Sequence, residues 1–137
     1  MRELLLCKAV PPQWRAAYAA LLADTGLRDE GHTDLTALLT EGGAVLGCGS
    51  LGGKVIRQVA VSPAAEGQDA CARIVSALVQ EAVKRGVPYP FLFTKPQTAR
   101  LFRSLGFYPV VKTADMVMLC RQRDALGRFL APLPRWQ

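Results

Sequence analysis

The run from Val59 to Cys71 constrains this chain most. Val59-Ala60-Val61 reads as a strand, Ser62-Pro63-Ala64-Ala65-Glu66-Gly67 as a turn of small residues, and the next residues as a helix. Ile74, Leu78, Val79, Ala82 and Val83 form the apolar stripe of that helix, which spans about 68 to 85 and closes on Gly86. A strand feeding a helix through a small-residue turn exposes the first helical N–H groups, which lack intrahelical partners and carry the positive end of the dipole. Such an end takes an anion. Asp69 brings a carboxylate to it, either repelling an incoming anion or filling its seat as a helix cap worth about 0.5–2 kcal/mol.

The remaining pattern places elements around this unit. Residues 3 to 10 read as a strand ended by Pro11-Pro12, and Trp14, Tyr18, Leu21 and Leu22 as a helix ended by Gly26. Leu35 to Thr40, Ala44 to Leu51 and Lys54 to Val61 form an antiparallel meander turned at Glu41-Gly42-Gly43 and Gly52-Gly53. Pro90 to Thr94 is a buried strand. Pro96 opens a helix whose Ala99, Leu101, Phe102 and Leu105 face inward until Gly106. Phe107 to Val111 and Ala114 to Cys120 close a hairpin, and Arg121 to Leu130 read as a final amphipathic helix.

The chain has 137 residues, enough for one domain with its own core. Its apolar runs fall short of the roughly 18–20 residues that cross a bilayer, and Met1 to Cys7 lacks the features of a signal peptide. A soluble cytoplasmic protein without a membrane partner is expected. Cys7, Cys48, Cys71 and Cys120 stand singly, and His32 is the sole histidine, which argues for reduced, packed thiols and no metal site. Cys71 differs in its place at a helix start, which depresses a thiol pKa where the thiol is exposed. The net charge of +6 suits anionic ligands, but the basic residues are dispersed, which disfavours nucleic acid.

This element order, with its small-residue turn after the fourth strand, resembles the GNAT N-acetyltransferase superfamily. The segment Phe91-Leu92-Phe93-Thr94-Lys95-Pro96-Gln97-Thr98-Ala99-Arg100-Leu101-Phe102-Arg103-Ser104-Leu105-Gly106-Phe107-Tyr108-Pro109 is similar to citrate lyase ligase. The resemblance runs from about Leu35 to Cys120. It implies an α/β (α+β) domain over 1–120, with a mixed, mostly antiparallel sheet of six to seven strands flanked by helices. Residues 121–137 then form a helix and tail, or a linker. The nucleotidyltransferase domain of that family has an H-x-G-H type site, which one histidine cannot supply.

The resemblance implies acetyl-CoA or CoA as ligand and a small-molecule or protein amine as acceptor, with a citrate lyase-related protein as partner and a monomer or homodimer as assembly. The thioester carbonyl would meet a backbone amide near Val61, with Val59 on the same strand edge. The pyrophosphate signature falls on Glu66, Gly67, Gln68, Asp69, Ala70 and Cys71, where three defining positions depart from it. Lys95 is placed to pair with a CoA phosphate or to stand as a surface charge. The usual general-acid tyrosine is replaced by Phe102, which cannot donate a proton. Tyr89 and Tyr108 lie nearby in sequence but read as packing residues. The fourth strand holds no carboxylate base; its Arg57 and Gln58 read as contacts for an acidic or amide-bearing substrate, or as an exposed strand face. Two functions follow: acetyl transfer to an amine, or a catalytically degenerate recognition module with weak or no CoA binding.

Overall fold

The computed structural model describes residues 2–28, 33–65 and 68–121. Seven strands form one sheet: β1 (Glu3–Cys7), β2 (Leu35–Glu41), β3 (Ala44–Gly52), β4 (Val55–Val61), β5 (Phe91–Thr94), β6 (Tyr108–Lys112) and β7 (Val117–Cys120). Helix α1 (Pro12–Asp24) follows β1, α2 (Gln68–Lys84) follows β4, and the short α3 (Ala99–Arg103) follows β5. The strand order is β1-β2-β3-β4-β5-β7-β6, antiparallel at every junction except β4–β5. This is the mixed, mostly antiparallel architecture expected from the sequence.

The sheet buries both faces, as its composition demands. On one face Ile74, Val75, Leu78 and Ala82 of α2 pack against Ala37, Leu39, Leu51, Ile56 and Leu92. On the other, Tyr18, Leu21 and Leu22 of α1 pack against Leu38, Val45, Cys48 and Ala60. Two glycines of β3 set how closely α2 approaches. A Cβ on Gly47 would stand 2.7 Å from Ile74 Cδ1, and one on Gly49 would stand 2.8 Å from Ile74 Cγ2 and 2.9 Å from Leu78 Cδ1. Both glycines are therefore required by packing.

Several boundaries differ from the sequence reading, for local reasons. β1 stops at Cys7 rather than at residue 10 because its register with β2 ends at Cys7↔Thr36, one residue from the start of that strand. β7 begins at Val117 rather than at Ala114, because Thr113 folds the preceding residues into a turn. Its Oγ1 accepts from the backbone N–H groups of Asp115 and Met116 at 3.3 and 3.1 Å. Pro96–Thr98 form a 3₁₀ turn before α3, so only a short helix remains to cover the sheet. Phe102 takes its inward position at 2% exposure, whereas Leu101 is 52% exposed. Val83, assigned to the α2 stripe, is likewise exposed at 52%, one position round the helix from the fully buried Ala82. The helix expected from Arg121 to Leu130, and with it the 121–137 tail, lies outside the described residues beyond Arg121, as does His32.

Candidate functional site

The sheet opens at one seam. β4 and β5 pair at only two positions, Val55↔Phe91 and Ile56↔Leu92, and the rest of each strand is unpaired with the other. A cavity of about 480 Å³ fills the divergence, within the roughly 300–1,000 Å³ typical of small-molecule sites. Gln58, Val59, Ala60 and Val61 line its β4 side; Phe93, Thr94 and Lys95 line the opposite side. Cys71 of α2 lines it as well, with Thr25 and Leu27 from the end of α1, and Thr98, Leu101, Phe102 and Leu105 complete the lining among the described residues. Apolar walls with a few polar groups suit a slender, amide-bearing chain more than a charged body.

The main chain of β4 is aimed by an irregularity. Gly47↔Val61 and Cys48↔Ala60 follow one register with β3, while Ser50↔Arg57 and Leu51↔Ile56 follow another. One extra residue has entered β4, and it lies at Gln58, whose φ of 58° is the sole positive value of a non-glycine among the described residues. Holding an L-residue there costs about 1–2 kcal/mol. Before this bulge the Lys54 carbonyl accepts from the Phe91 N–H at 2.8 Å, so even-numbered residues bond toward β5. After it the Ser62 N–H donates to the Leu46 carbonyl at 2.7 Å, so even-numbered residues bond toward β3. Antiparallel alternation then turns the N–H and C=O groups of Val59 and Val61 to the open edge, toward the cavity.

The residues singled out in the sequence divide around this cleft. Val59, Val61, Cys71, Lys95 and Phe102 line it. Gln68, Asp69 and Ala70 form the first turn of α2, with Asp69 exposed and Ala70 buried. Glu66 and Gly67 lie outside the described residues. Among the described residues none hydrogen-bonds to the Asp69 carboxylate, so the capping role foreseen for it has no partner there. Cys71 is 7% exposed, and burial raises its thiol pKa from 9.0 to about 11, opposite to the depression that exposure at a helix start would bring. It is a packing thiol.

Lys95 bridges the cleft. Its Nζ donates to the carbonyl oxygens of Gly26 at 2.7 Å and Thr25 at 3.4 Å, at the negative end of α1. Gly26 has a φ of 73°, and a Cβ there would stand 2.6 Å from this Nζ, so glycine serves both the turn and the bridge. Phe102 is buried and has no proton to give, and neither Tyr89 nor Tyr108, both exposed, lines the cavity. Among the described residues no Asp or Glu lines it either. Gln58 proves to be 6% exposed and hydrogen-bonded, which removes the exposed-strand reading; Arg57 lies with its guanidinium carbon 5.5 Å from the Phe93 ring centroid. The structural part played by Gln58 was missed in the sequence. Its only signal there is Arg57-Gln58, two consecutive polar residues breaking the alternation of an otherwise apolar strand. Thr25 and Leu27 carried no signal, being brought to the cleft by the end of α1.

Among the described residues, no three metal-ligating side chains cluster and no helix is long and apolar enough to cross a membrane.

No family model matches the chain. A [citrate [pro-3S]-lyase] ligase of Klebsiella pneumoniae is 31% identical over 94 residues, covering 68% of this chain and 28% of that protein. The chain thus spans under a third of the length of that relative. Among solved structures, an acyl-CoA N-acyltransferase from Pseudomonas aeruginosa superposes with a TM-score of 0.71 at 14% identity, covering 89% of this chain and 100% of the other. N-acetylglutamate synthase from Neisseria gonorrhoeae, complexed with coenzyme A and N-acetyl-glutamate, gives 0.68 at 19% identity over 87% of this chain and 35% of that one. At these identities the structural likeness is one of fold.

Proposed function

The chain is a citrate-lyase-ligase-like domain with the GNAT fold, and on that premise we propose that it binds an acyl-CoA in the β4–β5 cleft and transfers the acyl group to an amine. The observation that carries this reading is the two-residue pairing of β4 with β5, followed by a cleft onto which Val59 and Val61 turn their main-chain groups. A pantetheine arm carries amides along a flexible chain, and an open strand edge offers it the pairing a missing strand would have made. Bound there, an acyl-CoA supplies an activated thioester. Fixed backbone donors in an apolar cleft polarise such a carbonyl at no cost in reorganisation. Val59 and Val61 hold the arm and its carbonyl, and the start of α2 from Gln68 to Cys71 faces the phosphate end.

The chain supplies little proton transfer. Phe102 cannot protonate a departing thiolate, and among the described residues no carboxylate lines the cleft to take the proton of an amine. Transfer therefore rests on positioning and carbonyl polarisation, with water carrying the protons. The same observation favours a second reading, in which the domain recognises a CoA-like ligand or a citrate lyase-related partner without turning it over. Calorimetric titration with acetyl-CoA and CoA, joined to a thiol-release assay over a panel of amines, separates the two. Saturable binding with amine-dependent thiol release supports transfer; binding without release supports recognition of a CoA-like ligand; absence of binding overturns both of these uses of the cleft and favours a citrate lyase-related partner.

A further inference from the structure

We propose that Gln58 is a positioning residue whose side-chain amide, held by Tyr18, Ser50 and Arg28, locks the β4 bulge and thereby sets the preference of the cleft for an acyl thioester over a free thiol. The inference rests on the acyl-CoA reading and deepens it.

Gln58 Oε1 accepts from the Tyr18 hydroxyl at 3.2 Å and from Ser50 Oγ at 3.4 Å. Its Nε2 donates to the Arg28 carbonyl at 2.8 Å. The two ends of the amide are assigned by chemistry, because a carbonyl can only accept and so must face the NH₂ group. Ser50 Oγ is itself 3.1 Å from Thr36 Oγ1, which extends the network across β2 and β3. The Cys48 thiol lies 3.4 Å from the Gln58 carbonyl oxygen, on the main chain of the same residue. Partners from α1, β3 and the segment after α1 thus converge on one residue, with β2 joined through Ser50.

A left-handed backbone at a glutamine persists only where its surroundings determine it. These hydrogen bonds do so, and the consequence lies in the neighbours. Without the extra residue, strand alternation would carry on through β4 and turn the Val59 and Val61 main-chain groups to β3, leaving those of Gln58 and Ala60 on the cleft. The side chain that fixes the bulge therefore selects which amides face a bound thioester. An acyl carbonyl takes a hydrogen bond from such an amide, and a free thiol has no carbonyl to offer. One hydrogen bond corresponds to a factor of about 2 to 12 in affinity.

The test measures the ratio of CoA to acetyl-CoA dissociation constants for the full chain by calorimetry, with melting temperatures recorded in parallel. The native protein is expected to favour acetyl-CoA by about 2- to 12-fold. Gln58→Ala should bring the ratio to about 1, and Tyr18→Phe, outside the cavity lining, to an intermediate value. Gln58→Gly deletes the amide but adopts the positive φ freely, so it should keep more of the preference than Gln58→Ala does. A purely structural role would lower the melting temperature and weaken both ligands alike, leaving the ratio unmoved. Retention of the native ratio in both Gln58→Ala and Tyr18→Phe, or equal affinity for the two ligands in the native protein, overturns the proposal alone. Failure of the native protein to bind either ligand overturns the acyl-CoA reading and the proposal with it.

Discussion

The two sides of the β4–β5 seam are built differently. β2 and β3 share seven paired positions and β3 and β4 five, over a face closed by α2 at van der Waals contact with Gly47 and Gly49. Across the seam, β5 has four residues, and only two of them pair with β4. The first side spends its apolar residues on a closed core. The second leaves a sheet edge open and lines it with Phe93, Thr94 and Lys95. Such a break in a seven-stranded sheet exposes main-chain groups that the fold could have paired, which is how a rigid scaffold presents a ligand-binding edge.

This contrast can be broken most forcefully on the closed side. Leu78 is fully buried against the sheet, and Leu78→Ala should cost about 2–5 kcal/mol, read as a large fall in urea midpoint. A comparable loss at the half-exposed Leu101, on the rim of the cavity, would mean that the two sides are equally packed.

Cys71 links the sides, packing on α2 while lining the cavity. Its thiol pKa is raised from 9.0 to about 11, so above pH 9 the unfolded chain releases this proton before the native one does. The stability from burying the neutral thiol is fully present below pH 9, falls between pH 9 and 11, and is lost above that. The expected change is on the order of 2–3 kcal/mol. Denaturant titrations at pH 8 and 10.5 measure it, and the Cys71→Ala variant should show a shallower decline.

Smaller effects belong to the open side. Lys95→Met removes the bridge to Gly26 and Thr25 and should cost about 1 kcal/mol, discounted for solvent at a partly exposed ammonium. Thermal unfolding would detect it, and an unchanged midpoint would show that the cleft walls need no tie. Asp69→Gly removes an exposed carboxylate from the start of α2. It should tighten acetyl-CoA binding by a factor of about 2 to 5, by relieving repulsion at a helix end. Equal thermal shifts with acetyl-CoA in the native and Asp69→Gly proteins would remove Asp69 from the account.

The closed side was legible in the sequence and the open side only in outline. Ile74, Leu78 and Ala82 at helical spacing, and Gly42-Gly43 between two apolar runs, dictate a helix on a meander through local periodicity alone. The cleft depends on what is not paired, and pairing across β4 and β5 is separated by some thirty residues of chain, beyond the reach of local pattern. Val59, Val61 and Cys71 were placed there from the resemblance. The bulge at Gln58 was not, because its cause is a set of hydrogen bonds from Tyr18, Ser50 and Arg28 that no spacing reveals. Lys95 illustrates the same limit: a cation beside a strand end reads as a phosphate contact, yet its ammonium reaches the carbonyls that end α1.

The open edge is tested most directly by following backbone amide resonances of the ¹⁵N-labelled chain during titration with acetyl-CoA. The account predicts saturable shifts largest at Val59, Val61, Phe93 and Thr94, with Leu38 and Leu39 of the closed side unmoved. Shifts absent from the β4–β5 cleft at saturating acetyl-CoA would contradict it.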